Sequence, residues 1–186
     1  MRYADLRRAL EHRYGPGQAC TPAEVAEVVR DVRRSKGMMV VEGEADCRSA
    51  GSFFKNPALD RAAVERIGAA VSQAPPHFAA PDAGLFKVPA AWLIEQAGFT
   101  RGFALGRAAI SSRHTLALTN RGNATAEEVL ALAARIVKTV EARFGVRLVM
   151  EPVRVGFSEN QSDFVLTADF RAPSFPLFSA ERVGGQ

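Results

Sequence analysis

An α+β fold of two layers, with short strands packed by amphipathic helices, is what the sequence predicts, and three observations predict it. Two segments, 21–36 and 125–145, open on helix-capping signals and continue as a single apolar stripe. Short apolar stretches bounded by polar residues, such as 107–110 and 115–119, have the pattern of brief strands. Helices and strands alternate without a regular βαβ rhythm, and no internal repeat is visible.

The first clear element is TPAEVAEVVRDVRRSK. Thr21 can cap it, Pro22 suits the first helical position, and Glu24 completes a capping box. Val25, Val28, Val29 and Val32 recur at i, i+3, i+4 and i+7, while Gly37 is placed to end the helix. From Met38 to Pro57 an acidic stretch (Glu42, Glu44, Asp46) and then SAGSFFKNP read as loop chemistry around a short extended piece. A second helix fits Asp60 to Val71, and the prolines of APPHFAAPD cannot continue it. PAAWLIEQAG reads as a compact helix with Pro89 at its start and Gly98 past its end. Strands are expected at 107–110 and 115–119. The longest helix is TAEEVLALAARIVKTVEARFG, with Thr125 and Glu128 repeating the capping box, Val129, Leu132, Ile136, Val140 and Phe144 forming the stripe, and Gly145 stopping it. VRLVMEPVRVGF is expected to be a strand interrupted or edged by Pro152. Residues 1–157 are expected to form one domain and 158–186 a tail without assignable pattern.

Composition narrows the function classes. At 186 residues and 47% hydrophobic, the chain can bury a core without disulfides or metal. Its longest apolar stretches fall far short of the roughly 20 residues of a bilayer span, and the charged start MRYADLRRALEHR is unlike a signal peptide. A cytoplasmic protein without a membrane partner is the expectation. Cys20 and Cys47 make neither a disulfide framework nor a metal-ligand spacing, so no metal is expected. The net charge of +4 favours an anionic partner, but without a basic run or an aromatic-interleaved basic stripe that partner is not expected to be nucleic acid.

The chemistry concentrates in GSFFKNP, residues 51–57. Ser52, Lys55 and Asn56 put a hydroxyl, a cation and an amide within five residues, a set that can grip a carboxylate and donate a proton beside it. An ordinary capped turn with Phe53 and Phe54 in the core would use the same residues.

GSFFKNP resembles the signature of the UDP-N-acetylenolpyruvoylglucosamine reductases. RRSK, PAAWLIEQAGF, HTLALTN with NATAEEV, and FGVRL followed by Glu151 resemble that family's C-terminal landmarks in the family's order, across roughly residues 3–157. The resemblance implies a substrate-binding domain of a flavoenzyme of peptidoglycan synthesis, which reduces UDP-N-acetylglucosamine enolpyruvate to UDP-N-acetylmuramate with FAD and NADPH. By match to the motif Ser52 would deliver the proton to C2 after hydride reaches C3, and Asn56 would bind substrate, with Lys55 a candidate for the field that favours a serine alkoxide. Glu151 would polarise the substrate carboxylate, which requires it to be protonated or to share a proton. Val149 and Met150 replace the residues that precede this glutamate in the commonest form, LEPE. Lys36 would meet the sugar nucleotide, its alternative being a dipole-matching lysine at a helix end. His114 would lie near the substrate, its alternative being a plain surface or core histidine. Trp92, Leu93 and Ile94 match as well, yet their spacing favours core packing.

The family also carries an N-terminal FAD domain, and the sequence has no glycine-rich cradle for a pyrophosphate, so no cofactor-binding residue is assigned in this chain. The expectation is a reductase fragment that is inactive alone and needs an FAD-binding domain or partner chain. The alternative is a non-catalytic module for a UDP-sugar or another anionic ligand.

Overall fold

The computed structural model describes residues 3–157, and the expected tail, 158–186, lies outside them. Every named element belongs to a compact unit that ends at Val155; a second unit begins at Gly156. The architecture is α+β: helices α1 (Ala4–Tyr14), α2 (Pro22–Ser35), α3 (Arg61–Val71), α4 (Ala90–Gln96) and α5 (Ala126–Phe144) accompany two small antiparallel sheets.

The larger sheet is built from β1 (Ser49–Ser52), β5 (Ala104–Leu105), β6 (Ala108–Ile110) and β7 (Ala117–Asn120), in the order β1-β7-β6-β5. In the smaller sheet β4 (Leu85–Lys87) lies between β2 (Ala58–Asp60) and β3 (Phe78–Ala79). The long helix α5 packs on β6 and β7 and touches α3 and α4, which places the core between the helices and the larger sheet. Ala108, Ala109, Ile110 and Ala117 are fully enclosed there, as are Leu132, Ile136 and Val140 of α5. Small residues in β6 let the helix approach the sheet closely, which explains why a strand with little bulk of its own is fully buried.

The expected helices form for the expected reasons. Thr21 and Glu24 make a reciprocal capping box at α2, and Thr125 and Glu128 make another at α5, where Gly145 takes the left-handed conformation at the end. Asp60 caps α3, its Oδ1 accepting from the Ala63 amide at 2.7 Å, so the helix expected from Asp60 begins one residue later. Pro89 is the N-cap of α4 and has no side-chain oxygen to offer; Asn56 Oδ1 supplies it instead.

Three features depart from expectation. α1 was not expected, because ADLRRALEHRY has only two leucines to bury and no side-chain cap at Tyr3. Its place comes from outside itself: it packs on α2, and Arg13 reaches Glu27 and Asp31. The strands β2 to β5 are two or three residues long, too short for alternation to show. Residues 146–157 form no named strand; a single antiparallel bridge joins Met150 to Phe54. Burial nevertheless alternates there, with Val146 and Leu148 inside and Arg147 and Val149 outside.

Replacing Ile136 by Ala is expected to lower the unfolding free energy by about 2–5 kcal/mol through the cavity it leaves. Thr125→Ala is expected to cost about 1 kcal/mol. Urea unfolding measures both, and an Ile136→Ala loss no larger than that of Thr125→Ala would refute the place given to α5 in the core.

Candidate functional site

GSFFKNP is held on both sides by other chain. In β1, Ser49 faces Thr119 and Ser52 faces Ala117, so three residue steps on one strand match two on the other. Gly51, at φ 81°, absorbs the extra residue as a bulge, a conformation open to glycine and strained for most other residues. Past the bulge, the Phe53 N–H donates to the Leu116 carbonyl at 2.8 Å. On its other side the Phe53 carbonyl accepts from the Glu151 N–H at 3.0 Å, and the Lys55 N–H donates to Val149 at 2.9 Å. The rings of Phe53 and Phe54 are buried edge to face, with centroids 5.4 Å apart. The structure therefore brings Ser52, Lys55 and Glu151 onto adjacent backbones, with Ser52 half-buried and Lys55 and Glu151 exposed.

Asn56 has two faces. Its Oδ1 accepts from the first amide of α4, at Ala90, at 2.9 Å. That leaves the amide nitrogen as the group able to donate to a ligand.

Lys36 and His114 are the two other candidate residues, and the Lys36 charge is felt at the His114 ring. The Leu116 N–H donates to His114 Nδ1 at 3.1 Å, so the neutral ring carries its proton on Nε2. Burial pushes the His114 pKa down, Lys36 and Arg101 push it further, and Glu95 opposes them. Glu95 itself accepts from the buried hydroxyl of Thr115 at 2.5 Å. The Lys36 ammonium is 2.5 Å from Asp5 Oδ2, an ion pair that ties the end of α2 to α1 and holds the Asp5 carboxyl below its usual range. Hydrogen bonds run in sequence from His114 through Leu116 and Phe53 to Glu151, which connects that ring to the GSFFKNP segment.

Residues that sequence reasoning passed over hold this arrangement. Asn120 fixes the turn into α5, Oδ1 accepting from Gly122 and Ala124 and Nδ2 donating to the Ala124 carbonyl. Glu95 and Thr115 sit inside quoted motifs, but nothing in their spacing marks them as partners. A cleft of about 410 Å³ between Arg61, Val64, Gly68, Pro75, His77 and Phe86 touches none of the candidate residues.

Among the described residues no helix starts on a glycine-rich segment that a flavin could use. The flavin pyrophosphate needs free backbone amides at a glycine-rich helix start. Here Gly15 and Gly17 share one turn ahead of α2 and the other positive-φ glycines lie in separate turns; none is a helix N-cap, and α2, α3, α4 and α5 each receive a side-chain oxygen at one amide of the first turn.

A family model described as the C-terminal domain of UDP-N-acetylenolpyruvoylglucosamine reductase matches residues 43–155. The chain belongs to this family. Its UDP-N-acetylenolpyruvoylglucosamine reductase relative in Streptomyces coelicolor is 49% identical over 164 residues, covering 84% of this chain and 42% of the relative. The reductases of Streptomyces avermitilis and Thermobifida fusca are 46% and 44% identical, and the match covers 44% and 45% of them. The chain thus spans less than half the length of these reductases. Among the described residues no helix is long and apolar enough to cross a membrane.

Folding lowers the His114 pKa, so the unfolded chain holds that proton more tightly. The stability tied to this ring is complete above the ordinary value of 6.5 and is lost as pH falls through the lower folded value. Urea midpoints compared at about pH 8 and about pH 5, either side of that value, should fall more for the wild-type chain than for His114→Gln. Equal falls would show that the ring titrates as if exposed.

Proposed function

We propose that this chain is the part of a UDP-N-acetylenolpyruvoylglucosamine reductase that holds the enolpyruvyl sugar nucleotide and protonates it, with FAD and NADPH carried by the rest of the enzyme. The observation that supports this most is the placement of Ser52 and Glu151 on adjacent, hydrogen-bonded backbones. The substrate would be UDP-N-acetylglucosamine enolpyruvate and the product UDP-N-acetylmuramate, a step of peptidoglycan synthesis.

A flavin held by the rest of the enzyme would supply a hydride to C3 of the enolpyruvyl group. Charge then builds at C2 and on the adjoining carboxylate. Ser52 gives its hydroxyl proton to C2, completing the reduction of the double bond, and the alkoxide left behind is reprotonated from solvent. A serine is a weak acid in water, so it needs positive charge near the oxygen, and Lys55, three residues on, is the candidate cation for it. Glu151 in its protonated form donates to the substrate carboxylate, where a bare carboxylate would repel it.

The remaining residues hold the ligand. The Asn56 amide nitrogen and His114 Nε2 donate to its oxygens, and Lys36 meets the diphosphate as a point charge. To do so Lys36 exchanges its bond to Asp5 for one to phosphate. A module that only bound the sugar nucleotide would have no use for a proton donor at Ser52.

In the complete flavoenzyme, Ser52→Ala is expected to leave flavin reduction by NADPH nearly unchanged. It should slow flavin reoxidation by the enolpyruvyl substrate roughly a hundred- to ten-thousandfold, the usual loss for a removed general acid. Glu151→Gln should slow the same half-reaction, whereas Lys36→Ala should mainly raise KM, because a contact remote from the reacting carbons acts alike on ground and transition states. Stopped-flow absorbance separates the half-reactions, and wild-type reoxidation in Ser52→Ala would remove Ser52 from the role.

A further inference from the structure

Charged contacts converge on Arg113. Its Nη1 donates to the Arg34 carbonyl at 3.1 Å and lies 2.9 Å from Glu44 Oε2, while its Nε is 4.0 Å from Asp46 Oδ2. Glu44 Oε2 is enclosed and no donor is aligned with it, so its contact with Arg113 is an ion pair without a directed hydrogen bond. Asp46 accepts in turn from the Ser112 amide at 3.0 Å and from the Ser112 hydroxyl. Three stretches meet here: the end of α2, the short 3-10 turn at Ala45–Cys47 with Glu44 ahead of it, and, far on in the sequence, the loop 112–114.

The turn after α2 passes close over this cluster. At Gly37, φ is 66°, and a Cβ there would stand 3.4 Å from the Asp46 carbonyl oxygen and 3.6 Å from Arg113 Cδ. Lys36 lies between Gly37 and the gripped carbonyl of Arg34, and His114 follows Arg113 directly. A planar guanidinium can serve a carbonyl and a carboxylate at once, which an ammonium on a flexible stem does less well.

We infer that Arg113 is a positioning residue: by gripping the Arg34 carbonyl and Glu44 together, it fixes the 34–37 turn over the 112–114 loop and so sets Lys36 against His114. The link to activity rests on the proposed function, in which Lys36 and His114 meet the sugar nucleotide. The geometry of the grip does not. Each contact alone is part-exposed and weak, so the effect is expected in the placement of Lys36 and not in the chemical step.

In the complete flavoenzyme, Arg113→Ala should raise KM for UDP-N-acetylglucosamine enolpyruvate roughly fivefold to thirtyfold with kcat within about twofold, and Arg113→Lys should recover part of the loss. Added to Lys36→Ala, it should change KM little further, because both act through one ammonium. In the 186-residue chain, an NMR titration of His114, which feels Lys36, Arg101 and Glu95, should move to higher pKa in Arg113→Ala as Lys36 is released. If Arg113→Ala unfolds the chain, Glu44→Gln, which keeps the side chain's shape, should move both readouts in the same direction by less. Full additivity with Lys36→Ala, or an unchanged His114 titration, overturns the inference. A shifted titration with unchanged KM upholds the grip and instead removes Lys36 and His114 from the sugar-nucleotide site.

Discussion

Phe53 is where the site is fastened. Its amide and carbonyl are both committed, one to Leu116 and the other to Glu151, while its ring is buried against Phe54. A buried backbone group left without a partner is costly, so this residue cannot shift along either neighbour without losing a bond. The position of Ser52 relative to Glu151 follows from that, although the two are about a hundred residues apart in sequence. The Gly51 bulge is the local adjustment that lets β1 pair with β7 and still bring both phenylalanines inward.

Polar groups near the site serve the fold as well as the proposed chemistry. His114 accepts the amide of Leu116, Lys36 bonds Asp5, and Asn56 caps α4. Each residue therefore has one group spent on structure, and for His114 and Asn56 a second group stays available for a ligand. This sharing orients them: a His114 ring that accepts at Nδ1 presents a donor at Nε2.

Legibility in the sequence tracked how local each cause was. Thr21 with Glu24 and Thr125 with Glu128 announce their helices because the partners are three residues apart, and the structure contains both boxes. The fold class could be read for the same reason. α1 could not, since what holds it is Arg13 and Asp5 meeting residues of another helix or its end. Nor could the short pairing at Met150, where a strand interrupted or edged by Pro152 was expected and a single bridge forms, closed by backbone hydrogen bonds at Val149 and Glu151. For the candidate site, the chemistry of GSFFKNP was compatible with an ordinary capped turn as well, so family resemblance singled out both it and Glu151, and no spacing rule connects them. Arg113, Glu95 and Thr115 were hidden for the same reason: their partners come from other elements.

Under the proposed function Asn56 has a double duty, and this bears on how substitutions there are tolerated and interpreted. Alanine removes the oxygen that caps α4 together with the nitrogen offered to a ligand, so any loss of turnover is confounded with loss of folded protein. Aspartate keeps the oxygen, in a charge state that suits a helix N-terminus, and discards the nitrogen. Selection acting on this codon is thus two filters in series, and only the second of them is about the ligand.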